Sequence, residues 1–260
     1  MYEKELQAMI KAAQLSGDII MEVYRKGFEV EIKDDDSPVT EADKRADAFI
    51  IESLAKEFPD YGFLTEETPD SEERLSKEFV WIIDPLDGTK EFVNFRGEFA
   101  TCIALCKGHD IVASVINCPA QNVLFYATEN GGAWRLPRFG KPTQIHVNNK
   151  TQQITVLRSV SFFNPMEQEL IDKHPEKIGL VFARGAAQKF CLVAEGLAEA
   201  SYRIRGNTKE WDLAAGTLLI KEAGGIMIDH EGKPLKFNKP NVYFKEGYRF
   251  ANCRENLLID

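Results

Sequence analysis

Histidine is scarce in this 260-residue chain: His109, His146, His174 and His230 are scattered and form no cluster. The five cysteines (Cys102, Cys106, Cys118, Cys191 and Cys253) are an odd number without a Cys-x-x-Cys pair. That usage excludes a disulfide framework and a structural zinc site, and it fits a reduced, cytoplasmic protein. No Gly-x-Ser-x-Gly elbow and no Cys–His pairing marks a covalent nucleophile. No apolar run approaches membrane-spanning length, and the first residues (MYEKELQAMIKAAQ) are charged early and lack the apolar core of a signal peptide. Basic charge is in deficit, 32 Lys and Arg against 41 Asp and Glu, so no general positive field is available for nucleic acid or an acidic membrane. Repeats and low-complexity segments are absent. What remains is a soluble globular protein, 44% hydrophobic and 28% charged, long enough for one large core or two packed lobes.

The densest signal is Trp81 to Phe92, WIIDPLDGTKEF. Phe79 to Ile83 is a short β-branched and aromatic run, which predicts a buried strand. The strand is expected to stop at Asp84-Pro85-Leu86-Asp87-Gly88-Thr89, because Pro85 cannot donate to a sheet and Gly88 permits a tight turn. Two carboxylates three residues apart then sit at the strand's C-terminal edge. With the Leu86 carbonyl they form an oxygen-rich set of the kind a hard cation takes. An Asp-capped turn is the common role of a lone Asp-x-x-Asp; the strand, the proline, the two Asp and the Gly-Thr occurring together make a stronger signal.

Around this stretch, the spacing predicts a helix from Glu3 to Lys26 ending at Gly27, an alternating strand from Phe28 to Lys33, and an acidic turn at Asp34-Asp35-Asp36. A second helix spans Thr40 to Phe58, where Thr40-x-x-Asp43 reads equally well as a cap. Glu66 and Glu67 follow a short apolar segment and would ordinarily be surface charge. Phe99 to Lys107 predicts a strand, Ile111 to Asn117 and Asn122 to Thr128 a hairpin, and Gly131 to Trp134 another turn and strand. Residues 135–150 divide the chain into an N-terminal lobe, 1–142, and a C-terminal lobe, 143–260. The second lobe reads as strand (Ile154–Arg158), helix (Pro165–His174), strand (Gly179–Ala183), helix (Ala186–Gly196), strand (Glu199–Arg203) and helix (Trp211–Ala223). A hairpin of Ile226–Asp229 with Pro234–Phe237 closes it. Strands and helices mixed in both halves predict a layered α+β fold.

The motif Asp84-Pro85-Leu86-Asp87-Gly88-Thr89 resembles the signature of the inositol monophosphatase-like, Mg²⁺-dependent, lithium-sensitive phosphatases. Lys90-Glu91-Phe92 and Arg96-Gly97-Glu98-Phe99 resemble its 3'(2'),5'-bisphosphate nucleotidase branch, and the likeness runs from about Ser37 to the end. The resemblance implies an α-β-α-β-α sandwich. It implies metal ligation by Glu66, Asp84, the Leu86 carbonyl, Asp87 and Asp212, which lies within Glu210-Trp211-Asp212-Leu213-Ala214-Ala215-Gly216 at the start of a helix and whose more common role is helix capping. Two or three Mg²⁺ ions would occupy that set, with Lys33 near the loosest and Glu67 assisting Glu66. Asp43, Thr89 and Glu66 would be catalytic, Asp43 and Thr89 orienting the water that attacks phosphorus, and the Gly88 and Thr89 amides would hold phosphate oxygens.

For substrate, Gly185-Ala186-Ala187-Gln188-Lys189-Phe190-Cys191 resembles a nucleotidase segment, with Gly-Ala-Ala where Gly-Ser-Ser is usual. Without that match Lys189 would read as an exposed helix lysine. Arg158-Ser159 resembles another contact, with Val160 in place of a histidine; inositol monophosphatases carry a glutamate about where Arg205 falls, and Arg203 or Arg205 would suit a second phosphate there. The implied substrate contacts are Gly88, Thr89, Ser159, Lys189, Arg203, Arg205 and Asp212. The expected activity is removal of the 3'-phosphate of 3'-phosphoadenosine 5'-phosphate, in sulfur metabolism. A phosphatase of inositol or another small sugar phosphate is the alternative, and a non-catalytic phosphometabolite-binding protein the third reading. The expected partner is a small phosphate ester rather than nucleic acid. The expected state is monomer or homodimer, in the cytoplasm or peripheral at the membrane's inner face.

Overall fold

The computed structural model describes residues 2–34 and 36–259. Asp35 of the expected acidic turn lies outside the described residues. The chain opens with α1 (Glu3–Lys26), the short pair β1 (Val30–Ile32) and β2 (Pro38–Thr40), α2 (Glu41–Glu57) and β3 (Gly62–Thr65). There follow β4 (Phe79–Asp87), the short α3 (Thr89–Val93), β5 (Ala100–Lys107), β6 (Asp110–Cys118), β7 (Val123–Thr128), β8 (Gly132–Pro137) and β9 (Thr143–Ile145). The later chain forms β10 (Ile154–Ser159), α4 (Pro165–Asp172), β11 (Ile178–Arg184), α5 (Ala186–Ala194), β12 (Ala200–Ile204), α6 (Glu210–Glu222), β13 (Ile226–Asp229) and β14 (Gly247–Ala251).

Strands β3 to β9 lie side by side in chain order as a seven-stranded sheet, and the later strands form a five-stranded sheet in the order β11-β10-β12-β14-β13. Helices α1 and α2 cover one face of the first sheet; α6, backed by α5, covers the other and touches β13 of the second sheet. Helix α4 packs beyond that sheet, against β12. The result is the expected α-β-α-β-α stack, and residues 146–153 are the passage between the sheets.

Strand β4 explains how the stack positions the acidic motif. Its continuous apolar run is buried on both faces: Trp81 and Ile83 enter the core under α1 and α2, and Val80 and Ile82 enter the core shared with α6. Two-residue alternation then turns Asp84 to the α6 side. Close contact of α5 and α6 depends on Gly216, where a Cβ would lie 2.4 Å from the Phe190 ring.

Two expectations need correction. Strand β4 does not stop at Asp84 but continues to Asp87. Asp84 faces Cys102 and Asp87 faces Ala100, so one residue too many is accommodated in a bulge. Pro85 lies inside that irregularity, where its missing N–H breaks no ladder bond. Second, Pro234–Phe237 forms no strand, and β13 pairs instead with β14. The Phe237 amide donates to the His109 carbonyl, and the next two amides donate to Glu210, so these groups are committed elsewhere. The turn at His230-Glu231-Gly232 is present, held by Asp229.

Candidate active site

A cleft of about 350 Å³ opens where β4, α3, α5 and the N-terminus of α6 meet, and Glu66, Asp84, Asp87, Thr89, Lys189 and Asp212 all line it. Glu66, Asp84 and Asp212 each bring a carboxylate oxygen within 4.8 Å of the others. They arrive from three places: the end of β3, the bulge of β4, and the first turn of α6.

Each aspartate is fixed by a local bond that leaves an oxygen over. Asp84 Oδ1 accepts the Leu86 amide at 3.0 Å. Asp87 Oδ2 accepts the Ala187 amide at 2.7 Å, tying the acidic motif to the first turn of α5. Asp212 sits at the third position of α6 and accepts the Lys209 amide at 2.6 Å through Oδ2. Asp43 holds the same place in α2: Oδ2 accepts from both the Thr40 amide and the Thr40 hydroxyl at 2.7 Å. Capping and site duty were rival readings for both residues, and one carboxylate has oxygens for each.

The Thr89 hydroxyl donates to Asp43 Oδ1 at 3.0 Å and lies 3.1 Å from the Leu86 carbonyl. Gly88 adopts φ +87°, and a Cβ there would lie 2.9 Å from the Glu98 carbonyl, so glycine is needed to turn β4 into α3.

Burial and mutual repulsion push these acids up. Asp87 rises to about 7, burial first; Asp212 rises to about 8 from burial and the Glu66 charge. Asp84 goes well above the ordinary range through burial, then Glu66 and Asp87. Carboxylates buried together without compensation are what a cation relieves, and an all-oxygen donor set fits a hard divalent ion such as Mg²⁺. Lys33 gives partial relief at the rim, 3.4 Å from Glu66 and 2.5 Å from Glu67.

The cleft also carries basic groups. Lys189 is buried rather than on an exposed helix face, and burial together with Arg203 lowers its ammonium to about 8. Arg203 also lines the cleft and pairs with the buried Glu167 at 3.1 Å. Arg205 points elsewhere: its side chain is 71% exposed and lies 3.6 Å from Glu246. Ser159 lines the cleft, its hydroxyl accepting the Phe162 amide at 3.2 Å.

Several contributors were not singled out from sequence. Glu91 is buried in the cleft wall and accepts the Ser161 hydroxyl. Tyr248 and Phe162 line the cleft. Arg74, fully enclosed, binds Asp70 through two bonds of 2.7 and 2.8 Å and reaches Asn238 at 2.6 Å and the Lys239 carbonyl at 2.9 Å. The amides of Asn238 and Lys239 donate to Glu210, two residues before Asp212, so Arg74 braces the segment after Glu66 against the start of α6. Only Glu91 carried a sequence signal, as part of Lys90-Glu91-Phe92.

This stack, with its carboxylates gathered at a strand bulge and a helix start, places the chain in the inositol monophosphatase family, which matches residues 1–257. Within that family it is similar to the 3'(2'),5'-bisphosphate nucleotidase CysQ of Salmonella typhimurium, 36% identical over 94% of this chain and 98% of the relative. Among solved structures it resembles CysQ from Bacteroides thetaiotaomicron, described as a bacterial member of the same family, with TM-score 0.82, 30% identity and coverage of 96% and 97% of the two chains. A Thermotoga maritima IMPase gives TM-score 0.78 at 28% identity, covering 96% of this chain and 92% of that one. Among the described residues no helix is long and apolar enough to cross a membrane.

Proposed function

We propose that the protein is a Mg²⁺-dependent phosphomonoesterase that releases the 3'-phosphate of 3'-phosphoadenosine 5'-phosphate, giving AMP and phosphate. One observation carries the reading: a single cleft is lined both by a carboxylate cluster suited to cations and by two cationic side chains, Lys189 and Arg203. A substrate with two phosphates has a use for both kinds of group. The likeness to CysQ nucleotidases supports the same substrate class.

Glu66, Asp84, Asp87, Asp212 and the Leu86 carbonyl would hold the ions, two or three in number. When bound, they supply positive charge to the phosphoryl oxygens and acidify an attacking water. The protein's own part is proton handling and orientation. The Thr89 hydroxyl gives its hydrogen bond to Asp43, which leaves its lone pairs for an incoming water. As that water attacks phosphorus its proton passes to Thr89 Oγ1 and the threonine proton passes to Asp43, while the bond from phosphorus to the ribose 3'-oxygen breaks and that oxygen leaves with a proton taken from solvent. Burial raises Asp43 and makes it the better base. Lys189 and Arg203 contribute charge-assisted contacts to the second phosphate. The five free thiols support a cytoplasmic place.

A second reading, a phosphatase of inositol or another sugar phosphate, is favoured by Gly185-Ala186-Ala187, which offers no hydroxyl donor to a second phosphate. Phosphate release with Mg²⁺ from 3'-phosphoadenosine 5'-phosphate, inositol 1-phosphate and fructose 1,6-bisphosphate decides between them. The nucleotide is expected to be preferred in kcat/KM by at least an order of magnitude. A preference for inositol 1-phosphate would establish the second reading, and no release from any ester would leave a binding protein.

A further inference from the structure

Phe162 is an anomaly in the cleft. It is a large apolar side chain, 55% exposed, on the wall of a cleft lined mostly by polar groups, whose other aromatic, Tyr248, is buried. Singly exposed aromatics are ordinary on a surface, but this one is held in place. Its own amide donates to the Ser159 hydroxyl at 3.2 Å. Its neighbour Ser161 donates to the buried Glu91. Two residues on, the Asn164 side chain donates to the Ile204 carbonyl at 2.6 Å and caps α4. The backbone on both sides is therefore fastened while the ring faces the cleft. The Lys90 ammonium lies 4.0 Å from the ring centroid, orienting the aromatic from the residue next to Thr89.

We propose that Phe162 is the platform on which the base of a nucleotide substrate stacks, with Lys90 setting the ring. This rests on the bisphosphate-nucleotide reading above and adds to it the means by which the cleft would tell a nucleotide from a base-free phosphate ester. Carboxylates, Lys189 and Arg203 act on phosphates and are indifferent to what else the ester carries. Phe162 offers the cleft an aromatic face, and a planar base is the part of a nucleotide that an aromatic face can grip. Stacking of this kind tolerates any base, since every base has a π-face. The platform therefore selects for a nucleotide over a sugar or inositol phosphate, and only weakly for adenine over other bases.

The test compares wild type, Phe162→Ala and Phe162→Trp with Mg²⁺, using adenosine 3',5'-bisphosphate as substrate and AMP, ribose 5-phosphate and inorganic phosphate as inhibitors. The alanine variant is expected to raise KM and the AMP inhibition constant by roughly tenfold or more, as loss of one stacked base does. It should leave kcat and inhibition by ribose 5-phosphate and phosphate nearly unchanged, and tryptophan should restore the wild-type values. Because the side chain is largely exposed, melting temperature should not move. Nucleotide KM and AMP inhibition within about twofold of wild type in the alanine variant would overturn the platform alone. If wild type hydrolyses another ester but not the nucleotide, the functional reading fails and the platform falls with it.

Discussion

The Thr89 hydroxyl lies 3.0 Å from Asp43 Oδ1, joining the start of α3 to the start of α2. In Asp43→Asn the side-chain carbonyl can still accept the Thr40 amide, so α2 keeps its cap, but the side chain can no longer take a proton through Thr89. We expect kcat to fall by about 10²- to 10⁴-fold, the usual worth of a positioned base. KM and Mg²⁺ affinity should change little. A variant with near-normal kcat would remove Asp43 from the reaction.

The acidic cluster gives a pH dependence with a defined sign. Asp87 at about 7 and Asp212 at about 8 lie above the ordinary aspartate value of 3.8. Between those values the native state binds more protons than the unfolded chain, so metal-free stability falls as pH rises from about 4 to about 8. Lys189, lowered to about 8 from 10.5, acts in the opposite sense but only above about 8. Mg²⁺ requires the ionised carboxylates, so its stabilising effect grows over the same window. Melting curves with chelator and with Mg²⁺ at pH 5 and pH 8 check this; equal Mg²⁺-induced shifts at the two pH values would contradict it.

The two arginines should separate cleanly. Arg203 lines the cleft and Arg205 faces solvent. Arg205→Ala is expected to leave kcat/KM within about twofold and stability within about 0.5 kcal/mol, as surface substitutions do. Arg203→Lys keeps a charge beside Glu167 but loses the guanidinium fork, and it should raise KM for the bisphosphate more than for a monophosphate. The reverse ranking would place the second phosphate elsewhere.

The α5–α6 contact leaves no space at Gly216. Gly216→Val would drive a side chain into the Phe190 ring and should cost about 1–3 kcal/mol, the range for overpacking. Activity should fall as well, because α5 carries Lys189 and α6 carries Asp212. Urea unfolding together with initial rates measures both. Unchanged stability would mean that the helices separate more readily than their packing implies.

The legible parts of this fold are those in which one signal suffices. The apolar run of β4, the 3.6-residue spacing of α1 and α2, and the Gly-bounded α6 all stand close to their expected bounds, and the carboxylates named from the acidic motifs share one cleft. What escaped depended on partners distant in sequence. Strand β14 is five residues whose identity as a strand comes from pairing with both β12 and β13. Pro234–Phe237 has a strand-like pattern, yet the Phe237 amide serves His109 and the two amides after it serve Glu210. Arg74 resembles any surface arginine in a charged loop until Asn238 and Lys239 are brought beside it. The bulge at Pro85 was misread because a proline ends a regular strand but not an irregular one.

Helix α6 is the middle layer of the stack, and its first turn delivers the last carboxylate of the cluster. An unfinished chain emerging from the ribosome therefore holds Glu66, Asp84 and Asp87 long before it holds Asp212. The acidic cluster cannot close until most of the protein has been made, and the two sheets must then meet across that helix. Contacts of such long sequence separation form slowly. Completion of the proposed metal site is thus a late event of synthesis, and a truncated product lacking the final fifth of the sequence would have no Asp212 to finish the cluster.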